Sequence, residues 1–314
     1  MPTEYREEPC KTALNRVQGM PFAWSLNPYM GCAHQCTFCY VRAFERRADR
    51  PADSRYGASI RVKVNIPQVL RAEVTRRGWS REAVALGAAT DPYQPAEGKY
   101  RLTRGCLQVL SAVHNPFSVV TRGPMIVRDI DVLQEASRRA DVQVNFSVPT
   151  LDTRVWRHTE PGTPPPRQRL RALRMLIDAG IKAGVGMAPL LPGMSDRPEL
   201  LREVVIAARD AGAAFLWANI LYLKPGTREH FLENLARDWP SMLDRYQQLY
   251  MRPYISKEVA APIHDRVRLL RGEYDIADRR RNPLMPPPAP PQLPLFGGTP
   301  VATAPGREAA ALPT

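Results

Sequence analysis

Six times along the chain a short run of β-type residues is followed by a stretch whose apolar positions fall three and four apart. That repeated order constrains the fold more than any other feature. The β-type runs cover residues 23–29, 83–89, 117–121, 142–148, 183–189 and 214–222. Helical spacing follows them, as in Leu102, Val109, Leu110 and Val113, or in Leu170, Leu173, Leu176 and Ile177. Strand then helix, repeated, places the strands parallel in one sheet with the helices on its outer face. Six units are too few for the usual eight-stranded closure, so the expected fold class is α/β, a partial (β/α)6 barrel. In such sheets the chemistry gathers at the carboxyl ends of the strands. Helical patterns continue over 228–236, 241–250 and 256–271, with apolar positions Leu243, Tyr246, Leu249 and Tyr250, then Val259, Ile263, Val267 and Leu270. The expected organisation is an irregular N-terminal extension over 1–20, a core over 21–225, a helical C-terminal extension over 226–281 and a tail over 282–314. Proline dominates that tail and charge is almost absent from it, so a disordered or polyproline-like segment is expected.

Composition removes several function classes. With 314 residues and 44% hydrophobic content the chain can bury a large core. Five cysteines, an odd number at low density, do not make a disulfide scaffold. No charge-free apolar run approaches the roughly 18 residues of a membrane helix, and the N-terminus lacks the apolar stretch of a signal peptide. A cytoplasmic location without membrane contact is therefore expected, where thiols stay reduced and available to metals. The net charge of +13 keeps nucleic acid open as a partner. Only six of the 44 basic residues are Lys, however, and they are dispersed, so base composition of the genome accounts for the charge equally well.

Three of the five cysteines sit together in Gly31-Cys-Ala-His-Gln-Cys-Thr-Phe-Cys-Tyr40, directly after the first β-type run. Thiolates at Cys32, Cys36 and Cys39 can wrap one soft metal centre. Structural zinc takes four protein ligands, and electron-carrying iron-sulfur cubes take four Cys. A cube held by three Cys leaves one iron open. This spacing, with aromatic Phe38 before the third Cys, resembles the radical S-adenosylmethionine (radical SAM) superfamily. The flanks Asn27-Pro-Tyr-Met-Gly-Cys32 and Cys39-Tyr-Val-Arg42 resemble its spore photoproduct lyase-related branch. Further similarity lies in Thr90-Asp-Pro-Tyr-Gln-Pro-Ala-Glu97, Thr121-Arg122, Arg128-Asp129, Ser147-Val-Pro-Thr150 and Ala188-Pro-Leu-Leu-Pro-Gly193.

The resemblance implies a [4Fe-4S] cluster on Cys32, Cys36 and Cys39 whose open iron chelates S-adenosylmethionine. One electron, from a donor such as flavodoxin or ferredoxin, then cleaves the sulfonium. The 5′-deoxyadenosyl radical abstracts hydrogen from a substrate that the sequence does not identify. Around the cofactor, Thr90 and Asp91 match the ammonium, Arg122 the carboxylate as a fork, Ser147 the ribose or carboxylate, and Phe38 the adenine. The alternatives are a nucleic-acid lesion lyase or modifying enzyme, and a non-catalytic metal-binding scaffold or electron carrier. In the photoproduct lyases a cysteine near the end of strand two returns a hydrogen atom, whereas residues 84–91 here contain none. A zinc site would add His34 to the three cysteines, with little slack in the chain for a tetrahedron. Cys106 lies on the apolar face of a predicted helix as a buried thiol, Cys10 has no assignable context, and Glu97 and Glu160 read as solvated loop carboxylates, with substrate-side acids the alternative.

Overall fold

Two sheets organise the chain in the computed structural model, which describes residues 3–279 together with Leu284. The strands in chain order are β1 (Glu4–Glu8), β2 (Leu14–Arg16), β3 (Trp24–Leu26), β4 (Tyr29–Met30), β5 (Ser59–Lys63), β6 (Val84–Leu86), β7 (Phe117–Thr121), β8 (Val142–Ser147), β9 (Ala183–Leu190) and β10 (Leu216–Ile220). The larger sheet runs β10-β9-β8-β7-β6-β3-β2. From β3 to β10 every pairing is parallel, and β2 closes the far edge antiparallel to β3. The six sequence-predicted strands therefore lie side by side in chain order. The sheet is open, since its two end strands do not pair with each other.

Burial follows the architecture. All six residues of β8 are buried, as a strand covered on both faces requires. Phe117, Val119, Val144, Phe146, Val185 and Met187 centre the main core. The covering helices include α1 (Val41–Arg47), α2 (Ile66–Val74), α3 (Ala96–Tyr100), α4 (Leu102–Ala112), α5 (Ile130–Ser137), α6 (Thr153–Thr159), α7 (Pro166–Asp178) and α8 (Pro198–Asp210). Cys106 of α4 is fully buried, as its apolar face predicts, and burial pushes its thiol well up.

Two expectations need correction. The segment 1–20, read as irregular, contains two strands: β1 pairs parallel with β5, and β2 pairs with β3. Their partners lie far along the chain or behind a turn, so no local pattern reveals them. The first predicted run, 23–29, is also divided. Its front joins the larger sheet as β3, while Tyr29 begins β4 in a small β1-β5-β4 sheet. Pro28, which has no N–H to give a ladder, separates the two.

The C-terminal helices are α9 (Thr227–Asp238), α10 (Leu243–Leu249) and α11 (Lys257–Glu273). Phe231, Leu232 and Leu235 of α9 and Tyr246 of α10 form a second apolar cluster with Cys36, Phe38, Leu191, Leu221 and Leu223. This extension therefore caps the carboxyl ends of the strands. The Tyr250 hydroxyl secures it by donating to the Leu221 carbonyl at 3.0 Å. The proline-rich segment lies outside the described residues apart from Leu284.

Candidate cofactor site

The loop carrying the three cysteines leaves β4 and crosses the carboxyl end of the larger sheet. Cys32 and Cys36 are buried and Cys39 is half-buried. Close packing holds the loop from both sides: a Cβ at Gly57 would stand 2.3 Å from the Cys32 carbonyl oxygen, and one at Gly162 would stand 2.5 Å from that of Ala33. Only glycine permits those approaches. Thr37 N donates to the Thr159 carbonyl at 2.9 Å, and Gly162 N to the His34 carbonyl at 3.0 Å.

Gln94, absent from the sequence-predicted set although it lies inside the quoted 90–97 motif, clamps the loop to the end of β6. It is fully buried. Its Oε1 accepts from Ala33 N at 3.0 Å, and its Nε2 donates to Gly31 O at 3.1 Å and to Thr90 Oγ1 at 2.9 Å. The Thr90 hydroxyl itself donates to Gly31 O at 2.7 Å. Asp91 is equally engaged. Its Oδ1 accepts from Thr121 Oγ1 at 2.6 Å and Tyr93 N at 2.9 Å, and its Oδ2 from Arg122 N at 2.7 Å. Burial alone would raise the Asp91 pKa, yet His34, the Thr121 hydroxyl and the Arg122 amide hold it at about 2.

His34 turns toward that carboxylate: its Nδ1 lies 3.3 Å from Asp91 Oδ2, near enough for an ion pair but off line for a hydrogen bond. Burial disfavours its cation, and the neighbouring Cys32 and Asp91 outweigh burial, pushing the imidazole up to about 10. Among the described residues no three His, Cys, Asp or Glu side chains close around a single ion. Burial pushes the Cys36 thiol well up, opposed by the charge of Arg122, and pushes Cys39 up as well. A cationic metal centre is the ordinary means of keeping such thiols ionised.

Arg122 follows the last residue of β7, with its guanidinium carbon 5.6 Å from the Phe38 ring centroid. Its Nη2 donates to the Ala188 carbonyl at 3.2 Å. Its Nε stands 3.4 Å from Glu160 Oε2 without a hydrogen bond. Glu160 is no solvated loop acid. It is 1% exposed, and its Oε2 takes Arg169 Nη2 at 2.5 Å. Burial works against its ionisation, but Arg169 and Arg122 hold its pKa below the usual range. Arg169 also donates to the carbonyls of Ser147 at 2.8 Å and Pro164 at 2.9 Å. Ser147 is buried at the end of β8 and so joins Arg122 through Arg169 and Glu160. The structure brings Phe38, Cys36 and Arg122 together directly, ties Thr90 and Asp91 to the loop, and reaches Ser147 through this ion network. Glu97 belongs elsewhere: fully buried, it accepts from Tyr29 OH, Thr103 N and Arg128 Nη2, bracing α3 and α4.

Comparison with known proteins agrees with this geometry. The family model described as the radical SAM superfamily matches residues 26–205. An uncharacterized protein of Mycobacterium tuberculosis is 36% identical over 292 residues, covering 92% of this chain and 84% of that protein. Another, of Methanocaldococcus jannaschii, is 24% identical over 209 residues, covering 66% and 74%. Among solved structures, spore photoproduct lyase with bound AdoMet and dinucleoside spore photoproduct superposes with a TM-score of 0.65 at 18% identity. That superposition covers 86% of this chain and 79% of the lyase, a shared fold. Family match, strand order and three-cysteine loop coincide on the same residues, and the chain belongs to the radical SAM superfamily, enzymes that work with a [4Fe-4S] cluster and S-adenosylmethionine.

Proposed function

We propose that Cys32, Cys36 and Cys39 hold the cluster, and that Arg122 and Phe38 receive the carboxylate and adenine of S-adenosylmethionine beside it. The carrying observation is the pairing behind Cys36. Arg122 and Arg169 both face the buried Glu160 carboxylate, and Arg169 satisfies it at the shorter distance. Arg122 is left with unspent donors in a largely dry site, which a ligand carboxylate satisfies. When bound, cluster and cofactor together supply a 5′-deoxyadenosyl radical that takes hydrogen from substrate.

The protein's own groups position and shield that chemistry. Phe38 and the apolar cluster beneath it exclude water from one side of the loop. Thr90 is fixed against the loop and Asp91 against the end of β7, and both stay candidates for the cofactor ammonium, because three hydrogen bonds leave the Asp91 carboxylate a further acceptor site. Ser147 stays the candidate for the ribose or carboxylate. A small one-electron carrier such as a flavodoxin or ferredoxin supplies the reductant. Residues 84–91 hold no cysteine, so photoproduct-lyase chemistry is not carried over from the structural neighbour.

The test is anaerobic reconstitution with iron and sulfide, followed by dithionite and S-adenosylmethionine. The expected result is about four iron and four sulfide per chain with formation of 5′-deoxyadenosine. Stoichiometric zinc without iron, or a loaded protein that forms no 5′-deoxyadenosine, overturns the reading.

A further inference from the structure

A row of aromatic rings passes the cysteine loop with both of its ends at the surface, and the site described above does not use it. Tyr40, next after Cys39, is anchored by its hydroxyl donating to the Ala88 carbonyl beyond β6. On one side its ring meets Phe44 edge-on at 5.8 Å, and on the other it meets Tyr222 at 6.0 Å. Tyr222 in turn stacks on Tyr254 at 5.4 Å with 22° between the planes. The row is held rigidly, because Leu223 N donates to the Pro253 carbonyl at 2.8 Å and so fixes the two tyrosine-bearing segments to each other. Its ends are open: Phe44 is 41% exposed and Tyr254 61%. Scattered exposed apolar residues need no explanation, but aligned rings with bare ends do.

Cations accompany the rings. The Arg47 guanidinium carbon lies 5.7 Å from the Phe44 centroid and Lys224 Nζ 6.0 Å from that of Tyr222. Arg252 is exposed two positions before Tyr254. Nearby, Arg46 pairs with Glu229, Arg50 with Glu45 and Arg55 with Asp53. Among the described residues Arg47, Lys224 and Arg252 form no ion pair. The surface therefore offers two exposed rings, Phe44 and Tyr254, joined by the partly buried Tyr40 and Tyr222 and accompanied by cations without acidic partners, on a chain of net charge +13.

We propose that the row Phe44–Tyr40–Tyr222–Tyr254, with Arg47, Lys224 and Arg252, is a docking track for single-stranded nucleic acid. Bases stack on the exposed rings and phosphates face the three cations. Duplex DNA keeps its base faces covered and cannot use the rings. A free nucleotide is too short for three ring-to-ring steps of 5.4–6.0 Å. An acidic protein would need the cations but not the aligned rings. Tyr40, the second ring of the row, follows Cys39 directly, so the track's link to catalysis rests on the cluster assignment above, whereas the binding itself does not.

The experiment uses the full-length, cluster-loaded protein under anaerobic conditions with a fluorescein-labelled 12-nucleotide oligothymidylate, read by anisotropy. Tyr254→Ala is expected to weaken binding by roughly five- to a hundred-fold, and Tyr254→Phe to leave it close to the parent. A Lys224→Gln, Arg252→Gln pair is expected to lower the slope of log affinity against log salt by about one to one and a half. Iron content and uncoupled 5′-deoxyadenosine formation are measured on the same samples and are expected to match the parent. No oligonucleotide binding, binding indifferent to Tyr254→Ala, or equal competition by thymidine monophosphate at the same base concentration overturns the proposal. Should the parent bind the oligonucleotide but fail to hold iron or cleave S-adenosylmethionine, the cluster assignment falls and the docking track stands.

Discussion

Removing the Arg122 guanidinium separates a cofactor-binding group from a structural one. The side chain is 19% exposed and holds one hydrogen bond of ordinary length, to Ala188 O, with Glu160 off line. A charge-assisted pair with a ligand carboxylate in such surroundings contributes about 1.5–3 kcal/mol. At about 1.4 kcal/mol per decade that is roughly a ten- to hundred-fold loss of S-adenosylmethionine affinity in Arg122→Ala. Folding should survive, because Glu160 keeps Arg169 at 2.5 Å and the Thr163 hydroxyl at 3.3 Å. Arg122→Lys restores the charge but not the planar fork, so its affinity should fall between the two. Equilibrium dialysis of S-adenosylmethionine against anaerobic, cluster-loaded protein gives the dissociation constant, with iron measured in parallel. An Arg122→Ala protein that keeps its iron and binds as tightly as the parent would refute the reasoning and make Arg122 merely a second partner for Glu160.

Cys32→Ala, Cys36→Ala and Cys39→Ala should each abolish iron and sulfide loading, whereas Cys106→Ala, buried in the main core, should not; iron and sulfide assay after reconstitution decides. Gln94→Ala strips an acceptor from Ala33 N and a donor from Gly31 O in a buried setting. It should therefore cost about 1–3 kcal/mol in urea unfolding and lower cluster loading, and parental values of both would show the clamp to be idle. Asp91 has a folded pKa of about 2 against an ordinary 3.8. Its pairing thus contributes stability that is complete above about pH 4 and is lost as pH falls toward 2. Metal-free parent protein should lose stability over that window faster than Asp91→Asn, and parallel acid profiles would count against it.

How much of this was legible in the sequence divides along one physical line. Periodicity is a local property, so the six parallel strands and the covering helices can be read directly, and the close spacing of Cys32, Cys36 and Cys39 is a local property as well. Pairings between distant segments leave no such trace. Strand β1 looks irregular because the residues that complete it, 59–63, lie some fifty positions away. Glu160 looks like a loop acid because Arg122 and Arg169, which make its burial tolerable, stand 38 positions before it and nine after it. Thr90 and Asp91 follow strand β6, yet spacing does not say whether a hydroxyl or carboxylate there faces the ligand or the loop. That depends on which donors the fold brings within 3 Å, and here Thr121, Tyr93 and the Arg122 amide take three of the Asp91 acceptor sites. Gln94 carries the same lesson from the other side. A neutral amide has no charge to draw attention, but it is the side chain that joins Gly31, Ala33 and Thr90 into one unit. The thiols proposed to hold the cluster stand together in the sequence, while the groups that hold their loop in place become visible only when the strand ends are brought together.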